Sequence, residues 1–512
     1  MLNRILGQNT HTSLHVLWLC ALAFGTPLNK VVMSMSMIFL ILNLLLESEF
    51  KTYWSNIKQN RVYHLVIVFF LFNLLSLLWT FNFNYAAHDF KVKLPLLIIT
   101  TSLAAKPIFN RKHLHLILIV FVTSTILVSL INFGMYQHWI GNRDYDDIRG
   151  MSILSSHVRY ALTVTFSIAI LLYFLFYLKK YWLLLSMLIL WLTFYTYYSQ
   201  VITGYLTLYG ILLLFLFYKL WHLSRAVISS IISVLIGVST FFIFWVFTPI
   251  KINESDYKDL PRKTAKGQYY TNHFGIISPI TEKPIYILVC EPELRIDWPI
   301  YSNVGFDSLD RKGQPIKSTI IRYLSSKDLP KDAEGLSKLT MEDIQSIENG
   351  DASYIKTGLM ARAYSVKFQL NNGADPNSHS LLERLEYWKT GFCILSDNYI
   401  LGVGTGDIDD VFKSYYKKSS TLLTAENQHR SHNMYLTVFI TLGILGISIF
   451  IGVHIQFIRL NLRNKDILGL SFIVVVLLSF LIEDTLETQT GVTFYALFLG
   501  LFFSNQKEKK LD

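Results

Sequence analysis

Residues 429–433, "HRSHN", bring His429, Arg430, His432 and Asn433 together directly ahead of the apolar run "MYLTVFITLGILGISIF". A helix starting here presents unpaired amides and partial positive charge, which favour anions and disfavour a further positive charge. His432 at that position suits a proton acceptor. Arg430 beside it offers a planar fork that matches phosphate oxygens. A base next to a phosphate site at membrane-surface height fits a lipid-linked phosphate substrate. Helix capping accounts for Ser431 and Asn433 without any chemistry, but not for His432.

Other stretches supply ionisable groups that chemistry at the same level could use. "SSHVRYAL" puts His157 and Arg159 at the start of another apolar run, where snorkelling to the interface is the bland alternative to a functional role. Arg384 in "LLERLEYW" stands one turn before Trp388, and pairing with Glu383 or Glu386 would explain it structurally. "GVGTGDIDDVF" lacks a surrounding βαβ unit and reads as a tight turn, with Gly404 in the turn and Asp407 capping the next helix. A phosphate cradle built from its amides is the sharper alternative. Glu483, Asp484 and Glu487 in "EDTLETQTG" could steady the arginines, though ordinary loop residues are the expectation.

These residues need a scaffold, and composition says which kind. Over 512 residues, 52% are apolar, 15% aromatic and only 16% charged, so a soluble globular chain is excluded. Membrane spans are expected near 12–28, 31–47, 62–82, 93–108, 114–136, 158–178, 181–199, 203–219, 226–248, 433–457, 467–483 and 491–505. This is an all-α polytopic membrane protein of about twelve helices, divided as 1–248, 249–431 and 432–512. The first span runs straight into the second and does not read as a cleaved signal peptide.

The short basic segments, from Lys51 to Arg61, Lys106 to Lys112, Lys179 and Lys180, Lys219 to Arg225, Arg459 to Lys465 and the tail Lys507, Lys509 and Lys510, all fall on one side of that topology. That side is the cytoplasm, with both termini, and residues 249–431 face outward. The outward segment holds 23 basic and 24 acidic residues against +10 for the whole chain. The positive excess is therefore topological, and no nucleic-acid partner is implied.

Short strands are compatible with the alternation in the first part of the outward segment, as in "KPIYILVC", and helices are expected later. Thr340 and Asp343 start one helix, which buries Ile344 and Ile347 and stops at Gly350. Ser380 and Glu383 form a capping box for another, whose packed face is Leu381, Leu385, Trp388, Phe392 and Leu395. Of Cys20, Cys290 and Cys393, only the last two face outward, and a bridge between them is open. No spacing suggests a metal site, and no cofactor is expected.

"RSHNMYLTVFITLGILGISIF" resembles the His-Asn-x-x-Leu signature followed by Gly-x-x-Gly of the O-antigen ligase and polymerase superfamily. "LLERLEYWKTGFCILSDNYILGVGTGDI" is similar to the Arg-x-x-x-Trp and Gly-x-Gly-x-Gly-Asp stretch that precedes it in that family. "EDTLETQTGVTFYALFLGLFF" and "HDFKVKLPLLIITTSL" resemble the last and an early span of its Bacteroidetes ligase-like members. The resemblance implies a metal-independent, inverting glycosyltransferase of the lipid-polyprenol type in the bacterial inner membrane. Its donor is a glycan on undecaprenyl diphosphate, and its acceptor is lipid A core or another glycan at the periplasmic face. The motif histidine maps onto His432 and the loop arginine onto Arg384.

Many members also carry a Ser-Arg pair opening a middle span. Here "SQVITGYLTLYG" has no basic residue between Gln200 and Tyr209, which leaves Arg159 as the candidate replacement. The expected site is then His432 as catalytic base, Arg384, Arg430 and Arg159 on the diphosphate, and Asn433, Gly404, Asp407 and His157 in support. A repeat-unit polymerase, a protein O-oligosaccharyltransferase and a polytopic transporter or flippase are the alternatives. Against transport stands the gathering of polar candidates at the outer level rather than at the midplane.

Overall fold

The structure, a computed structural model, describes residues 7–504 apart from 142, 144–147, 221–223, 357, 374 and 379. The basic tail at Lys507, Lys509 and Lys510 and part of the basic run from Lys219 to Arg225 lie outside the described residues. The chain divides into two compact units, Met1–Ser224 with Glu383–Asp512, and Arg225–Leu382.

The first unit opens with α1 (Gln8–Leu28), α2 (Lys30–Glu47), α3 (Phe50–Lys58), α4 (Arg61–Leu75), α5 (Phe83–Ala105), α6 (Arg111–Tyr136), α7 (His157–Tyr177), α8 (Trp182–Tyr198) and α9 (Ile202–Leu220). The second unit holds α10 (Arg225–Phe247), β1 (Thr271–Ile277), β2 (Pro284–Val289), α11 (Glu291–Tyr301), α12 (Ile316–Ser326), α13 (Ala333–Ser337), α14 (Met341–Glu348) and α15 (Gly358–Asn371). The chain returns to the first unit within α16 (Ser380–Asn398), followed by α17 (Ile408–Lys418), α18 (Met434–Asn464), α19 (Ile467–Phe480) and α20 (Gln489–Ser504).

Each of the twelve expected spans is a helix, namely α1, α2, α4 to α10 and α18 to α20. Among the described residues, eight helices are long and apolar enough to cross a membrane, and α19 and α20 are shorter apolar helices. In α5 the apolar run is diluted by Asp89, Lys91 and Lys93 in its first half. α3 is an element the sequence reading treated as a basic connector. It buries Tyr53, whose hydroxyl donates to Glu47 Oε2 at 2.7 Å, and exposes Phe50 and Trp54.

In the first unit, α1 and α2 turn back on each other at Asn29, so that Asn43 Nδ2 donates to His11 O at 2.9 Å. α20 is buried along its whole length from Gly491 to Ser504, as expected for a helix apolar on every side. Phe498 stacks edge-on against Phe121 and Phe166, with centroids 4.7 Å apart in both pairs. Gly500 lets α20 approach α5, since a Cβ there would lie 2.4 Å from Leu103 Cδ1.

α18 breaks at Gly443, where φ is 64° and ψ −164°. The carbonyls of Ile440 and Thr441 turn outward and accept from the amides of Val403 and Gly404 at 2.9 and 3.0 Å. The Ile444 amide donates in turn to Tyr399 O at 2.9 Å. Only glycine fits at the break, because a Cβ on Gly443 would stand 2.1 Å from Ile400 O. The loop that joins α16 to α17 is thus stitched into the membrane helix below the candidate site.

Of the two readings of this loop, the tight turn is the one the structure takes, while the expected Asp407 cap does not form. The glycine loop is not a phosphate cradle, since the Thr405 amide donates to Ser76 Oγ and the Gly406 amide to Thr80 Oγ1, at 3.2 and 3.4 Å, beside those of Val403 and Gly404. Asp407 occupies the N-cap position of α17 without a side-chain capping bond. Its carboxylate instead accepts from the amides of Phe81 and Asn82, at 2.9 and 2.7 Å, just ahead of α5.

The packed face of α16 also differs from expectation. Tyr387, Thr390, Gly391 and Ile394 are buried, while Leu385 and Phe392 are exposed. Beside a membrane, apolar periodicity cannot tell a core face from one that meets lipid, because lipid tails are as apolar as leucine.

The second unit has a small core of its own, with Leu294, Trp298, Ile320, Leu324, Leu336 and Ile347 fully buried. β1 and β2 pair antiparallel, with Thr271 opposite Val289. The capping box of α14 forms as expected between Thr340 and Asp343, Ile344 and Ile347 are buried, and Gly350 has φ 82°. Cys290 and Cys393 are free thiols, the first buried and the second exposed.

Candidate functional site

The starts of α7 and α18, the turn between α19 and α20, and α17 meet at one end of the first unit around a cavity of about 340 Å³. Its lining includes His429, Arg430 and His432 ahead of α18, Arg159 on α7, and Glu483, Asp484 and Glu487 between α19 and α20.

His432 has φ 46°, a left-handed conformation that a side chain with a Cβ seldom adopts. Bonds on both sides hold it there. Trp388 Nε1 donates to Ser431 O at 2.9 Å, and Ser431 Oγ lies 2.6 Å from Thr437 Oγ1 and accepts from the Asn433 amide at 3.2 Å. Asn433 caps α18 as expected, its Oδ1 accepting from the Leu436 amide at 3.1 Å, and its Nδ2 donates to Leu481 O at 3.1 Å. The imidazole lies 5.6 Å from the Tyr387 ring and points Nδ1 towards Glu483 Oε2, 3.8 Å away. That separation is an ion-pair distance, longer than a hydrogen bond, and His432 Nδ1 is buried without a hydrogen-bond partner among the described residues.

Glu483 joins the histidine to an arginine, since Arg159 Nη2 lies 3.3 Å from its Oε1. Burial opposes ionisation of Glu483, but His432, Arg159 and Arg384 outweigh it and hold the carboxyl below its ordinary range. Arg159 Nε is buried and makes no hydrogen bond among the described residues, so this guanidinium keeps a donor in reserve.

Arg430 is held from two sides, by Glu487 Oε2 at 2.9 Å from Nη1 and by Asp409 Oδ1 at 3.1 Å from Nε. Burial works against its charge, but Glu487, Tyr85, Asp484 and Asp409 outweigh burial and raise its pKa above the ordinary value. Glu487 also meets Lys93 Nζ at 3.1 Å, and Lys93 meets Asp89 at 2.6 Å, both deep in the bundle. Burial pushes the Glu487 carboxyl up, yet Lys93 and Arg430 together hold it well below the usual range. Asp484 accepts from Thr437 Oγ1 at 2.7 Å, and burial keeps its pKa raised despite Arg430 and His432. Of the three carboxylates expected to be ordinary loop residues, Glu483 and Glu487 therefore pair with the cations, and Asp484 is tied to α18 through Thr437.

Of the sequence-predicted residues, His432, Arg430 and Arg159 share this cavity. Arg384 acts on Glu483 and Tyr387 electrostatically without lining the cavity. His157 opens α7 two residues before Arg159 and is not in the lining either. Gly404 and Asp407 belong to the loop bound to α18 and α5. Asp89, Lys93 and Asp409 were missed, although charges inside the apolar run "HDFKVKLPLL" mark a buried network by default. An imidazole with one nitrogen facing a carboxylate and guanidinium groups beside it can accept a proton while stabilising a departing anion.

The fold and site define a polytopic α-helical membrane protein with a polar centre at one end of its bundle. Residues 337–451 match the family model described as O-Antigen ligase, so this segment is similar to the O-antigen ligase superfamily. The match supports a ligase- or polymerase-type function in general terms. It takes in α16, the glycine loop, α17, His432 and the break at Gly443, while Arg159 and the carboxylates of the last turn lie outside it. No curated protein sequence matches the chain.

Proposed function

We propose that the protein moves a glycan from undecaprenyl diphosphate to an acceptor hydroxyl, that of lipid A core in a ligase, at the periplasmic face of the inner membrane. The observation that carries this reading is His432, in a strained backbone at a helix start, between a carboxylate and two guanidinium groups within a matched O-antigen ligase segment. Strain of this kind, about 1–3 kcal/mol, persists where surrounding bonds over-determine it and is concentrated at functional positions.

In the proposed reaction Nδ1 of His432 stays turned to Glu483, and Nε2 takes the proton of the acceptor hydroxyl. The acceptor oxygen attacks the anomeric carbon from the face opposite the diphosphate. The bond from that carbon to the phosphate oxygen breaks, its electron pair leaves with the diphosphate, and the anomeric configuration inverts. Arg159 and Arg430, with Arg384 nearby, stabilise the departing charge, as fixed guanidinium groups do where water is partly excluded. The topology implied by the basic loops puts this end of the bundle outside and both termini in the cytoplasm.

The test is complementation of a deletion strain. Wild-type protein is expected to restore long-chain surface glycan, and His432→Ala, at equal membrane abundance, to leave lipid-linked polymer accumulated. Normal surface glycan with His432→Ala sinks the assignment. Loss of polymer itself, rather than of its attachment, would make the protein a polymerase.

A further inference from the structure

A second cavity, an open groove of about 1290 Å³, lies on the other side of α17 from the His432 cavity. Asp409, Phe412 and Lys413 of α17 line the His432 cavity, whereas Asp410, Val411 and Ser414 line the groove. One helix, about 10 Å across, separates the two. The groove's far wall is the corner between α4 and α5, with Trp79, Phe81 and Phe83, and its rim is the end of α16 with Tyr399.

Phe81 is 91% exposed, Phe83 61% and Tyr399 55%, so three aromatic faces stand open. Between them are Asp397, Asp410, Asn82 and Asn84, and among the described residues no Lys, Arg or His lines the groove. Two carboxylates brace its walls, Asp410 accepting from Asn82 Nδ2 at 2.7 Å and Asp397 from Tyr415 Oη at 2.5 Å.

This chemistry selects one occupant. A diphosphate or other anion meets acidic groups with no counter-charge. A hydrocarbon chain would suit Ile400, Leu401, Val403 and Val411, which also line the groove, but would take the remaining acceptor positions of Asp397 and Asp410 and the Asn84 amide out of water without replacing their hydrogen bonds. An uncharged polyol ring offers hydroxyls to Asp and Asn and an apolar face to the aromatic rings. The space exceeds that of an ordinary small-molecule cleft, roughly 300–1,000 Å³, so it accommodates several rings rather than one. We infer that the groove between α17 and the α4–α5 corner binds the neutral sugar units of a glycan whose reacting end lies in the His432 cavity. The identity of the ligand rests on the proposed glycan transfer.

The test measures binding and transfer separately, on full-length protein in lipid nanodiscs. The binding probe is the surface glycan of the source cells, released from lipid by mild acid and stripped of phosphate, with titration calorimetry as the readout. Wild type and His432→Ala are expected to bind it alike. Phe81→Ala and Tyr399→Ala, which remove only exposed rings, are expected to bind it roughly tenfold or more weakly at unchanged melting temperature. In the transfer assay the same two variants should raise KM while sparing kcat.

Unchanged binding and KM in both variants overturn the groove assignment. So does absence of glycan binding by wild type, and so does a groove that takes sugar-free polyprenyl phosphate in a Phe81-dependent manner instead. Glycan binding that needs Phe81 and Tyr399 in a protein that transfers nothing upholds the groove and overturns the transfer reading alone.

Discussion

His432 is recognisable in the sequence because a base and an arginine crowd a helix start, but what makes it usable was not legible there. Its left-handed backbone, the Trp388 bond to Ser431 O and the Glu483 carboxylate come from segments distant in the chain. Single-sequence reading could not rank Glu483, Asp484 and Glu487 above ordinary loop acids, since their role depends on which cations the fold brings to them. If Glu483 orients the imidazole, Glu483→Gln keeps shape and loses charge, and kcat should fall on the order of 10²-fold or more with KM little changed. A variant with wild-type kcat would leave Glu483 a purely structural partner. The pH behaviour follows from the depressed carboxyl. Its ion pair with Arg159 contributes fully above the ordinary glutamate value, about 4.3, and is lost as pH falls through the lower folded-state value. The stability advantage of wild type over Glu483→Gln should hold from neutral pH to about pH 5 and shrink in stronger acid.

At the scale of elements, helix existence was largely written in the sequence, because uncharged runs long enough to span a bilayer admit little else. The capping box at Thr340 and the Asn433 cap were equally readable, each being a local hydrogen bond between near neighbours. The α16–α17 loop was readable as a tight turn, but what it packs against was not, because its partner is distant in the chain. Its glycines permit close approach to the broken α18, with Gly402 Cβ space only 2.4 Å from Thr441 O, and Gly443 of α18 has Cβ space 2.1 Å from Ile400 O. Gly443→Ala must therefore push the loop off the helix at a cost of about 1–3 kcal/mol or more. A lower melting temperature with impaired transfer is expected in purified protein. An unshifted melting curve would mean that the break tolerates a side chain and that the loop is not held as described.

For the whole molecule, the distribution of Lys and Arg fixes an expected sidedness, with residues 249–431 outside and both termini inside. In a protein with Cys20, Cys290 and Cys393 replaced by serine, Lys338→Cys, at an exposed side chain, should react with a membrane-impermeant maleimide in cells with a permeabilised outer membrane. Lys51→Cys, also exposed, should react only after the inner membrane is opened. The reverse pattern would put the His432 cavity on the wrong face for its proposed substrate. The central claim, that His432 drives glycan transfer from a polyprenyl diphosphate, is tested most directly by single-turnover reaction of purified protein with lipid-linked glycan and acceptor. Wild type should form inverted glycan product and release undecaprenyl diphosphate, with His432→Ala slower by about 10²- to 10⁴-fold and equally folded. Equal single-turnover rates for the two proteins would contradict the account.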